Sequence, residues 1–102
     1  MKTPSYSNIE AFFSRELTPA EQSSFTDFCE RANNCGFDIH SIVISHDPKS
    51  NETFVSCTVD ADSLKSVQSQ ENQVFDFLKK MGANMVNSSS WSLTGGIRWK
   101  KE

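Results

Sequence analysis

SNIEAFFSREL, residues 7–17, is the stretch on which the order of the whole chain turns. Ile9, Phe12, Phe13 and Leu17 recur at helical spacing, and Ser7 followed by Glu10 forms a candidate capping box. The stretch therefore predicts a short first helix. TPAEQSSFTDFCERANNCG, residues 18–36, predicts a second. Thr18 supplies the cap, Pro19 suits the first turn, and Glu21 completes a capping box. Phe25, Phe28, Cys29 and Ala32 fall on one face, and Gly36 supplies the helix end.

Working outward, the pattern changes period. FDIHSIVIS (37–45) is rich in β-branched residues and predicts a strand. Asp47-Pro48 and Ser50-Asn51 mark a turn. TFVSCTV (53–59) then alternates Val55, Cys57 and Val59 against Phe54, Ser56 and Thr58. The two strands predict an antiparallel hairpin. Residues 60–82 predict a third helix, capped by Asp60 or Asp62. Leu64 and Val67 form one apolar turn, and Val74, Phe75, Leu78 and Met81 form another. The wholly polar QSQEN between them (68–72) predicts a break or a solvated turn. Lys79 and Lys80 suit the helix C-terminus, and Gly82 ends it. Residues 84–93 and 97–101 predict the last two strands.

The resulting order, α-α-β-β-α-β-β, predicts a single α+β domain over residues 1–102. It would be two-layered, with helices packed on one face of a mostly antiparallel sheet of about four strands. A ferredoxin-like split βαβ core is one arrangement among several with these elements. The chain has 102 residues, 36% of them apolar, with eight Phe and two Trp. That aromatic content lets a short chain bury much area with few side chains. The net charge of −3 opposes the balance of a general nucleic-acid or membrane-surface binder. No apolar run exceeds three residues, Ile42-Val43-Ile44 among them, so no segment is expected to span a membrane. The N-terminus lacks the apolar core of a signal peptide. Three cysteines make an odd count, against a secreted disulfide framework. A cytoplasmic location is expected.

The closing stretch, SSSWSLTGGIRWKKE (88–102), combines both tryptophans with Arg98, Lys100 and Lys101. A three-residue loop, Thr94-Gly95-Gly96, would set Leu93 opposite Ile97, Ser92 opposite Arg98 and Trp91 opposite Trp99. Each face is then uniform, which favours that register. Trp91 and Trp99 would close the core, and Ser90, Ser92, Arg98 and Lys100 would turn outward. Ser88, Ser90 and Ser92, with Ser56 and Thr58 of the earlier strand, then form an outer face of small hydroxyls open to a partner.

Chemistry is sparse. Cys29, Cys35, His40 and His46 fall within 18 residues, but their Cys-x5-Cys-x4-His-x5-His spacing lacks a zinc knuckle. No metal or cofactor is expected. Cys29 and Cys57 read as small buried apolar residues. Cys35 near His40 is the one thiol–imidazole pair to weigh. The four glycines form neither a phosphate loop nor a nucleophile elbow. Asp60 and Asp62 read first as helix caps. No catalytic residue is assigned. Glu16, Glu21, Asp27 and Glu30 cluster around the second helix and, on one exposed face, would mimic a row of phosphates. The expectation is a non-enzymatic binding module acting by protein–protein contact, an inhibitor or adaptor. One concrete form is a mobile-element inhibitor of a host nucleic-acid-handling or defence complex. The alternative is a nucleic-acid binder using Arg98, Lys100, Lys101, Lys79 and Lys80. A small hydrolase or nuclease stands third.

Overall fold

A computed structural model describes residues 5–92 and 98–101, with side chains through residue 89. The elements are β1 (Ser5–Phe13), α1 (Pro19–Asn34), β2 (Ile39–Asp47), β3 (Glu52–Ala61), α2 (Leu64–Lys80), β4 (Met85–Ser92) and β5 (Arg98–Lys101). The strands form one five-stranded sheet in the order β2-β3-β1-β4-β5, every neighbouring pair antiparallel. The path β1-α1-β2-β3-α2-β4, with β1 and β3 at the centre, is the split βαβ arrangement. β5 extends it beyond β4.

The first element is a strand, which corrects the helix expected over residues 7–17. Ile9, Phe12, Phe13 and Leu17 satisfy a helical period, but Ser5, Ser7, Ile9, Ala11 and Phe13 satisfy a period of two. All five of these are buried. Pairing decides between the periods. β1 bonds to β3 from Ser5↔Ala61 to Phe13↔Thr53, and to β4 from Ser5↔Ser92 to Phe12↔Met85. A strand with partners on both sides satisfies its whole backbone within the sheet.

The alternation continues across the sheet. Val55, Cys57 and Val59 of β3 and Val86 of β4 are buried with Ile9, Ala11 and Phe13. α1 contributes Phe25 and Cys29 to this core, and α2 contributes Val67, Val74 and Leu78. α2 lies over β1, β3 and β4, and α1 over β2. The helices thus cover one face and leave the other uncovered, giving two layers.

The capping box of α1 forms as its spacing predicts. Glu21 N–H donates to Thr18 Oγ1 at 3.1 Å, and Thr18 N–H donates to Glu21 Oε1 at 2.9 Å. Glu21 also takes two hydrogen bonds from the Arg15 guanidinium, both 2.7 Å, while Arg15 donates to Met81 O at 2.9 Å. Arg15, then Thr18, holds the Glu21 carboxyl down at about 2, below its ordinary 4.5. A depressed folded value means that the stabilisation is present above about pH 4.5 and lost as pH falls through about 2. Glu21→Gln is expected to lower the melting temperature at neutral pH, with the gap to wild type closing toward pH 2. Circular-dichroism melts across that range check it; a gap independent of pH refutes it.

α2 corrects two expectations. Its cap is Ser63, whose side chain accepts from Ser66 N–H at 3.2 Å, because Asp60 still belongs to β3. The helix also runs unbroken through residues 68–72, which corrects the break but not the solvated alternative, since Ser69 and Asn72 are exposed. Val67, Glu71, Val74 and Leu78 form its buried stripe, so a carboxylate sits among apolar neighbours. Ser7 of β1 donates to Glu71 Oε2 at 2.5 Å. Gly36 and Gly82 follow the two helices with φ of +98° and +101°, left-handed values that glycine adopts without strain.

The closing hairpin is one residue out of the expected register. Trp91 pairs with Arg98, Ser90 with Trp99 and Ser89 with Lys100. The two tryptophans are therefore not cross-strand partners. β4 takes its place from eight successive pairs with β1, which outweigh the local preference for uniform hairpin faces. Residues 93–97, including the expected loop and the Leu93–Ile97 pair, lie outside the described residues. So do the side chains of Trp91 and Trp99.

Candidate functional site

The helices leave one face of the sheet uncovered and open to a partner. Its side chains come from the positions between the buried ones. Tyr6, Asn8, Glu10 and Phe12 lie along β1; Phe54, Ser56, Thr58 and Asp60 lie along β3. Register joins them into rows. Ser45, Phe54, Phe12 and Met85 make the first. Val43, Ser56, Glu10 and Asn87 make the second, and His40, Thr58, Asn8 and Ser89 the third.

The first row is apolar. The Phe12 and Phe54 rings meet at 5.2 Å with a 51° tilt, a favoured aromatic geometry. Met85 beside them is 54% exposed. The next two rows are mostly polar, with Val43 the apolar member at the β2 edge, and Thr58 Oγ1 donates to Asn8 Oδ1 at 2.9 Å. Glu10 and Asp60 bring negative charge. Register carries the third row on to Lys100 of β5, opposite Ser89, and sets Arg98 opposite Trp91, the partner of Tyr6.

His40 joins Asp60 through Nε2 at 3.0 Å and Ser41 Oγ through Nδ1 at 2.9 Å. A serine, a histidine and an aspartate in a row are the elements of a nucleophilic triad. His40 and Asp60 side chains are 43% and 47% exposed, so the group stands in water without the sheltered electrostatics such catalysis uses. Asp60 also lines a cleft of about 400 Å³ with Gly36, Asp38, Ala61, Asp62, Ser66 and Gln70, which neither Ser41 nor His40 lines.

The expected site residues scatter. Ser56 and Thr58 lie half-buried on the open face. Ser88 does not: it is buried opposite Ile9, beneath α2, because β1 sets the phase of β4. This corrects its place on an outer hydroxyl face. Ser90 pairs with Ser7 and Ser92 with Ser5 in the backbone ladder, whereas Arg98 and Lys100 belong to β5, opposite Trp91 and Ser89. The acidic residues do not form a row. Glu21 is engaged by the cap and Arg15, and Glu16 lies in the loop before α1, 3.9 Å from His46 Nδ1. Only Asp27 and Glu30 share an exposed stretch of α1, three residues apart.

The cysteines and histidines stay apart. Cys29 and Cys57 are buried, and burial pushes their thiols up to about 11 and about 12. They are poor nucleophiles and poor ligands. Cys35 is exposed at the end of α1 and lines a groove with Phe28, Arg31, Ala32, Phe37 and Gln73, while His40 turns to Ser41 and Asp60. His46 Nε2 lies 3.0 Å from Asn51 Oδ1, the amide oxygen accepting. Among the described residues no group of three or more His, Cys, Asp or Glu is placed to hold a metal ion. Among them, too, no helix is long and apolar enough to cross a membrane.

Comparison with known proteins reaches the fold and stops there. No family model matches the chain, and no curated protein matches it. The chain is similar in structure to the de novo designed protein Foldit4, with a TM-score of 0.63 and 13% identity over 85% of this chain and 94% of that one. It also aligns with an amidase of the hydantoinase/carbamoylase family from Burkholderia phymatum, at 11% identity and a TM-score of 0.47. That alignment covers 93% of this chain and 28% of the amidase.

The Phe12–Phe54 pair is the part of the site that sequence reasoning missed. Its signal was the alternation of Tyr6, Asn8, Glu10 and Phe12 with smaller or apolar neighbours, hidden while Phe12 and Phe13 counted together on a helix.

Proposed function

We propose that the protein is a non-enzymatic binding module that acts by protein–protein contact through the open face of its sheet, as an inhibitor or adaptor does. The apolar row Phe54–Phe12–Met85 on the uncovered face carries this reading. An aromatic and methionine strip ringed by small polar side chains has the composition of an interface centre with a polar rim. Ser56, Thr58, Asn8 and Ser89 keep the surface low, so a partner backbone approaches closely. Glu10, in the row next to the apolar strip, favours a partner that sets a basic group against it.

The test uses immobilised protein and a partner captured from the native host. A Ser56→Arg/Met85→Glu variant is expected to weaken capture at least about tenfold, roughly 1.4 kcal/mol, with an unchanged melting temperature. Asp27→Arg/Glu30→Arg on α1 should leave capture intact. The reverse pattern moves the contact to the acidic helix. Salt-sensitive binding of a labelled oligonucleotide, lost on Arg98→Glu/Lys100→Glu, replaces this reading with nucleic-acid binding.

A further inference from the structure

A bulge in β2 sets three side chains in line. In a regular strand successive side chains face opposite sides of the sheet, so Ser41 would point away from the ring of His40. The ladder with β3 passes from His40↔Thr58 to Val43↔Ser56, so that Ser41 and Ile42 together span the single residue Cys57. Ser41 takes φ +55° there, a left-handed value uncommon outside glycine. A bulge re-aims a side chain, and this one brings Ser41 Oγ to 2.9 Å from His40 Nδ1. Asp60 lies on the same face as Thr58, the partner of His40, and its Oδ2 is 3.0 Å from His40 Nε2.

The end group fixes the direction of these bonds. A carboxylate accepts and does not donate, so Asp60 holds the proton of the neutral ring on Nε2. Nδ1 then carries the lone pair and accepts from the Ser41 hydroxyl. The roles are those of a serine-protease triad with the two ring nitrogens exchanged.

We propose that Ser41 is an acyl-accepting serine, modified once by an activated ester or thioester. In the step, Oγ bonds to the acyl carbon as its proton passes to His40 Nδ1. The bond from that carbon to the leaving oxygen or sulfur breaks, and the leaving group takes the proton from Nδ1. The products are an O-acyl serine and a free alcohol, phenol or thiol, and His40 ends neutral. The exposure of His40 and Asp60 withholds the shelter that turnover uses, so the chain is a stoichiometric acceptor and not an esterase. Ser41 is exposed on the edge strand, within reach of a bulky donor. Ile42 and Val43 beside it, 37% and 47% exposed, offer apolar surface to an aliphatic acyl chain. The inference does not depend on the open-face reading.

The test incubates the full chain with p-nitrophenyl butyrate and maps the modified residues by mass spectrometry. Hydroxylamine separates serine esters, which it cleaves, from lysine amides, which it spares. The expected product is a butyryl ester on Ser41, formed at least about tenfold faster than on Ser45, an exposed serine of the same strand. His40→Asn is expected to slow it about a hundredfold, the lower end for general-base assistance, with unchanged circular dichroism. Asp60→Asn should slow it as well, with a signature that a merely structural role would not give: nitrogen-15 shifts showing the His40 proton moved from Nε2 to Nδ1. Equal modification of Ser41 and Ser45 overturns the proposal. So does a rate at Ser41 that His40→Asn leaves unchanged, or a wild-type ring protonated on Nδ1.

Discussion

Phe25→Ala is expected to cost about 3–5 kcal/mol, the range for truncating a fully buried phenylalanine. Phe25 is 0% exposed, and it and Cys29 are the buried residues of α1. Its ring meets Phe77 of α2 at 6.2 Å, and Phe77 stacks on Phe28 at 4.3 Å. The three rings form the bridge between the helices. Truncation at 25 empties its inner end, and the half-buried Phe28 cannot refill the space without leaving Phe77. Against a total of about 5–15 kcal/mol for a domain, the loss takes a large share. Urea denaturation followed by tryptophan fluorescence and by circular dichroism measures it. Phe28→Ala serves as the milder control. A loss under about 1 kcal/mol for Phe25→Ala, well short of the cavity range, would mean that α1 is anchored by other contacts.

The second large effect concerns Ser7 and Glu71. Ser7→Ala removes a donor from a carboxylate that is 0% exposed, at an expected cost of about 1.5–3 kcal/mol. The pair is not needed for stability as such. Replacing both partners by apolar residues, Ser7→Ala/Glu71→Leu, is expected to recover most of the loss, since a buried polar pair and a packed apolar pair often balance. The double-mutant cycle should then show a coupling of at least about 1 kcal/mol. Additive effects would mean that Ser7 does not hold Glu71.

These two sites mark the limits of what was legible in the chain. Phe25 and Cys29 were readable because α1 combines a capping box, a first-turn proline and a one-sided apolar face, all pointing the same way. The β2–β3 hairpin was readable for the same reason. β1 was not. Its buried positions include Ser5, Ser7 and Ala11, which have no hydrophobic signature, while Phe12 and Phe13 imitate a helical face. The buried partner of Ser7 is Glu71 of α2, more than sixty residues away, so nothing local marks that serine as an inward position. The misplacement of Ser88 has the same root: once β1 is a strand, Ile9 sets the phase of β4. The open face followed from β1 as well, so its aromatic row could not be assembled before that strand was in place.

The central position of β1 also has a kinetic consequence. The first strand of the chain lies between β3 and the late strand β4, whose partners Ser5 and Ser92 are 87 positions apart in number. Pairings this distant close large loops and slow folding, toward the millisecond-to-second range. On the ribosome, β1 can dock on β3 as soon as the hairpin emerges, but its other edge waits until α2 and β4 have been synthesised. In that interval β1 presents an unpaired flank with Ile9 and Phe13 not yet roofed by α2. That flank closes only when α2 and β4, the later elements, join β1, so β1 is the strand that a chaperone with an affinity for nascent strands would meet.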